Sequence, residues 1–135
     1  MSFFGVNLSK EKLLAPTCYT IKIRNSTTYV LLNWALEASI DNEDYIVIDQ
    51  RKFWDENDSH FSYQCQMERE ALKERGATST YAIDQQRLQC ILNQRQIKGF
   101  CYFRIKQISK NSHGSDNLNL SGFELYGKTF GNGWI

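Results

Sequence analysis

The chain has 135 residues, a formal net charge of +1, 13% aromatic residues and a single proline, Pro16. A chain of this length forms one core that buries most of its apolar side chains, so 1–135 reads as a single domain. Acids and bases are interspersed, which excludes the basic stripe needed for nucleic acid and the polybasic helix drawn to anionic membranes, and no stretch reaches the ~18 apolar residues of a membrane span.

In chain order, Phe3 to Leu8 is a short apolar run that predicts a first strand, Ser9 to Lys12 a solvated turn, and Pro16 the entry to the next element. Cys18 to Arg24 alternates, with Tyr19, Ile21 and Ile23 on one side and Thr20, Lys22 and Arg24 on the other. Asn33 to Ser39 alternates again, placing Trp34, Leu36 and Ala38 on one face. The turn Asp41 to Asp44 leads into an apolar strand, Tyr45 to Ile48. Strands with short, even turns between them predict an antiparallel sandwich or barrel.

The middle breaks that rhythm. Residues 61–75 have helix-forming composition, with Tyr63, Met67 and Ala71 four apart and Gly76 as a stop. Ser79 to Ile83 reads as a strand. Asp84 is placed to cap a second helix, 85–97, with Leu88, Ile91 and Leu92 on one side and Gly99 at its end. That apolar side packs either over the sandwich or against a partner. Phe100 to Ile108 then places Cys101, Phe103 and Ile105 opposite Tyr102, Arg104 and Lys106. After a polar insert, Asn119 to Gly127 sets Glu124 between Phe123 and Leu125. Residues 128–135 are left as a short tail.

Several of these stretches, YTIKIR (19–24), NWALEAS (33–39), DNEDYIVID (41–49), FCYFRIKQ (100–107) and LNLSGFELYG (118–127), stand in the order found in one family. The chain resembles the discoidin, or coagulation factor 5/8 type C, domains, in their intracellular disulfide-free branch. The resemblance covers most of residues 3–127 and implies an all-β, galactose-binding-like jelly-roll sandwich. Against that pattern, 61–75 and 85–97 are helical insertions and Tyr45 replaces the usual Trp. Met1 falls after the family's opening strand, which implies a sheet edge covered by helix 85–97 or by another chain.

No nucleophile elbow, phosphate loop or zinc-protease motif points to catalysis. His60 and His113 fall in polar surroundings, and Cys18, Cys65, Cys90 and Cys101 lack metal-site spacing. They read as free thiols in a reducing compartment, and MSFFGVNLSKEK has no secretory-signal pattern, so an intracellular, cytoplasmic protein without cofactor or metal is expected. Arg104 and Glu124, each between apolar neighbours, are expected to form a structural ion pair. Phe53 and Trp54, beside Arg51 and Lys52, have the composition of a protein-interface hot spot. Leu88, Ile91 and Leu92 and the terminal Trp134 are the other candidate contacts. Together they point to a non-catalytic structural or adaptor subunit of an intracellular assembly such as a cytoskeletal or ciliary one. The alternative implied by the resemblance is a carbohydrate- or small-ligand-binding module using Trp54, Phe53 and the 110–117 loop.

Overall fold

A computed structural model of the chain describes residues 3–8, 12–23, 33–52, 78–108 and 120–131. Its elements are β1 (Phe3–Asn7), β2 (Lys12–Ile23), β3 (Asn33–Ser39), β4 (Ile46–Lys52), β5 (Thr78–Ala82), α1 (Gln85–Arg95), β6 (Tyr102–Gln107) and β7 (Leu120–Gly131). The strands form a four-stranded sheet in the order β1-β6-β3-β4 and a three-stranded sheet in the order β5-β2-β7. Every pairing is antiparallel. The expected all-β sandwich is therefore present as two antiparallel sheets around one buried cluster. The predicted helix at 61–75 lies outside the described residues.

The alternation in the sequence is the alternation in the fold, because successive strand side chains point to opposite faces. Tyr19, Ile21, Trp34, Leu36, Ala38, Phe103 and Ile105 all project into the space between the sheets and are buried. On the other faces Thr20, Tyr102, Arg104 and Lys106 are half-buried and Lys22 is exposed. β3, central in its sheet, is buried along its whole length, including Asn33 and Glu37 on its outer side.

Two boundaries differ from the sequence expectation. Pro16 does not precede a strand; it lies within β2, where the register with β7 shifts between Pro16 and Cys18. A bulge is where a strand tolerates a residue without an N–H, and Gly127 faces the proline there. The second difference follows from the first. Beyond the bulge β2 continues back to Lys12, so Lys128 to Gly131 pair with it as strand rather than forming a tail.

Helix α1 begins where Asp84 was expected to cap it: Asp84 Oδ1 accepts from the backbone N–H of Gln86 at 3.0 Å and of Arg87 at 3.2 Å. It ends at Arg95, short of Gly99, because Gln96 turns left-handed with φ 56°. Leu88 and Leu92 enter the core and Ile91 packs against it. Burying a leucine this fully contributes roughly 1.5–3 kcal/mol, enough to hold the helix against the sheets. Gln85 Nε2 adds a bond to the Pro16 carbonyl at 3.1 Å. None of the described helices is long and apolar enough to cross a membrane.

Candidate interaction surface

The two lateral sides of the sandwich differ. On the β4–β5 side a polar clasp ties one sheet to the other. The bulge between Leu36 and Glu37 in the β3–β4 register lets both Ile48 and Asp49 of β4 face inward. Asp49 Oδ2 then accepts the phenolic proton of Tyr19 from the opposite sheet and the Nε–H of Arg51 at 2.9 Å. Tyr19 in turn accepts from Trp34 Nε1 at 3.0 Å. Burial pushes the Tyr19 phenol far above its ordinary pKa, and the adjoining Asp49 carboxylate pushes it further.

Arg51 extends the clasp to the neighbouring edge. Its Nη2 donates to the Ala82 carbonyl of β5 at 2.6 Å, and its guanidinium lies 5.1 Å from the centre of the Tyr81 ring. Tyr81 stacks edge-on to Trp34 with ring centres 5.1 Å apart. From α1, Arg87 Nη2 caps the Val47 carbonyl of β4 at 3.1 Å. Arginines thus occupy carbonyls on both edge strands of this side.

The expected ion pair is corrected. Arg104 on β6 and Glu124 on β7 stand in different sheets, both on outward faces, and the structure does not bring them together. Arg104 Nε instead donates to Glu37 Oε1 at 2.7 Å, its cross-strand neighbour on β3, and its guanidinium lies 3.7 Å above the Tyr45 ring. Glu124 accepts the Tyr126 hydroxyl proton, which pushes that phenol's pKa up. Sequence reasoning missed Glu37, Asp49 and Arg51 in these roles. The signal available was the opposite charges at Asp49 and Arg51, two apart on one strand and hence on one face.

A second correction concerns the helix. Leu88 and Leu92, expected as partner contacts with Ile91, are each 2% exposed and part of the core. The stripe is used inside the molecule because it faces the sheets that its own flanking strands build. Phe53, Trp54 and Trp134 lie outside the described residues, as do the 110–117 loop, His60 and His113. Cys18 and Cys90 are free thiols, and the buried Cys101 Sγ donates to the Ile40 carbonyl at 3.3 Å. Among the described residues, no group of three or more His, Cys, Asp or Glu side chains could hold a metal ion.

The three-stranded sheet also presents an outward face, with β7 at the end of its order. Across its outer face run the rows Ala82–Cys18–Tyr126, Thr80–Thr20–Glu124 and Thr78–Lys22–Gly122. Thr20 and Thr80 share a hydroxyl bond of 2.7 Å. Along β7, Gly122, Glu124, Tyr126, Lys128 and Phe130 share that face, and Tyr126 is 45% exposed. Glu124 and Lys128 are exposed, with the Lys128 ammonium 5.2 Å from the Phe130 ring centre. β7 is twelve residues long and, among the described residues, pairs on one side only, with β2. No protein-family model matches the chain.

Proposed function

We propose that this chain is a non-catalytic protein-interaction module of discoidin-like build, serving as a structural or adaptor subunit of a larger intracellular assembly. The observation that carries this reading is β7, a twelve-residue strand that among the described residues stands at the end of its sheet order, with an exposed tyrosine at its middle. An edge strand of this length presents a row of backbone groups ready to pair with another chain, and proteins normally keep such edges short or covered. The opposite side supports the contrast, since Arg51 and Arg87 occupy edge carbonyls there. Two antiparallel sheets in this arrangement also accord with a jelly-roll module whose role is binding.

The test is recovery of the tagged chain from its native source under mild conditions, followed by size-exclusion chromatography and mass spectrometry. A protein held in fixed stoichiometry, and released when Tyr126→Asp places a charge at the middle of β7, is the expected result. A species of 15.8 kDa that carries no protein, or one that binds arrayed glycans instead, overturns it.

A further inference from the structure

Resting on the reading of β7 as a docking edge, we infer that its partner is a second copy of this chain, paired β7 to β7 in antiparallel fashion about a two-fold axis through Tyr126. When identical strands pair this way, each residue a given number of positions after Tyr126 faces the residue the same number before it. Glu124 therefore faces the other copy's Lys128, and Lys128 faces the other copy's Glu124. Gly122 faces Phe130, and the two Tyr126 side chains meet on the axis. All five residues lie on one face of β7 by its two-residue period, so these are same-face neighbours across the new ladder.

The register is selected by charge. Centring the pair one residue earlier sets Glu124 against Tyr126 and Lys128 against Gly122. Centring it one later sets Glu124 against Phe130 and Lys128 against Tyr126. Only the axis at Tyr126 matches Glu with Lys, and it does so at two symmetry-related places. It also lays the Phe130 ring over the bare Gly122, a pairing that shields an edge glycine. Charged side chains on an edge strand ordinarily discourage strand addition. Here they discourage other strands and suit the strand's own copy, since opposite charges directly across a ladder attract and like charges repel. Glu124, Tyr126 and Lys128 are all exposed for this contact. The product is one continuous sheet running β5-β2-β7 and then through the second copy in reverse order.

Analytical ultracentrifugation of the purified chain at low salt tests this with charge reversals. Wild type is expected to dimerise. Glu124→Lys and Lys128→Glu each set like charges opposite one another at two places and weaken self-association by about tenfold or more. An equimolar mixture of the two single variants restores a dimer, because every facing pair is then Lys with Glu, and the doubly reversed chain restores it alone. Unchanged circular dichroism and melting in all variants show that folding is not the cause. A benzophenone side chain introduced at Tyr126 should give a covalent dimer on illumination. Single variants that dimerise like wild type, or mixtures that fail to recover, overturn the proposed register. A chain that stays monomeric overturns the second copy as partner; β7 as a docking edge then stands only if the benzophenone cross-links a native protein subunit, and falls if it captures none.

Discussion

Tyr19 on β2 gives its phenolic proton to Asp49 on β4, a bond that crosses from one sheet to the other. The same tyrosine oxygen accepts from Trp34 and the same carboxylate oxygen accepts from Arg51. Tyr19→Phe keeps the ring, which packs against Tyr81 and Phe123, and removes the hydroxyl at the centre of this network. Asp49 and Trp34 each lose that partner in a water-poor setting. The expected loss is about 1–3 kcal/mol, seen as a lower urea midpoint with unchanged slope.

The same phenol sets an alkaline limit. In the unfolded chain it ionises near pH 10, while in the folded chain burial and then the Asp49 carboxylate keep it protonated well above that. The folded state thus holds a proton that the unfolded state gives up. Its stabilising contribution is complete below about pH 10 and is lost as pH rises further. Wild type should lose stability across this range more steeply than Tyr19→Phe, by up to about 1.4 kcal/mol per pH unit. Urea unfolding at a series of pH values reads the difference, and parallel slopes for the two proteins would contradict it.

Much of the fold was legible because burial follows a period of two. Tyr19 and Ile21, Trp34 to Ala38, and Cys101 to Ile105 each announce which side faces the core, and Asp84 announces the start of α1. Partner choice was not legible in the same way. Whether Arg104 meets Glu37 or Glu124 depends on which strands lie side by side, and β6 is hydrogen-bonded to β3 through a connection that the local pattern does not encode. Pro16 misled for a related reason. A proline ends a regular strand, but a bulge opposite a glycine takes it in, and the bulge is a property of the pair rather than of either strand.

Arg104 and Glu37 offer a measure of that hidden pairing. Their side chains are 23% and 12% exposed, so the carboxylate is largely cut off from water. Arg104→Met keeps the stem but removes the charge, the bond and the contact with Tyr45. A loss of about 1–3 kcal/mol is expected, below the cost of a fully buried pair. Adding Glu37→Gln should then cost less than the sum of the single changes, since no carboxylate is left without its cation. Strict additivity in the double-mutant cycle would show that the two side chains do not communicate.

At the C-terminus of α1 the chain can be improved. Gln96 adopts φ 56° and ψ 41° while its N–H bonds to the Asn93 carbonyl. That left-handed conformation crowds the Cβ of any residue other than glycine, and helices commonly end on glycine there. Gln96→Gly should raise stability by about 0.5–1 kcal/mol. Thermal unfolding will register it as a higher Tm. No gain, or a loss, would mean that the exposed glutamine makes a contact worth more than the relief.

Gly127 is the reverse case, a glycine that must stay. It faces Pro16 across the bulge, and a Cβ on it would sit 2.2 Å from the Ala15 carbonyl oxygen and 2.7 Å from the Pro16 Cα. Both are backbone atoms of β2, so neither can swing aside as a side-chain tip would. Gly127→Ala must push β2 and β7 apart where the register shifts, at a cost of roughly 1–3 kcal/mol. Gly122, five residues earlier on the same strand, supplies the control. There an added Cβ meets the Lys22 Cβ at 3.2 Å, a tight contact that a shift of a few tenths of an ångström relieves. Gly122→Ala should therefore cost less than Gly127→Ala, at most about 1 kcal/mol. Equal effects of the two substitutions on the urea midpoint would show that the close approach at the bulge does not govern the β2–β7 pairing.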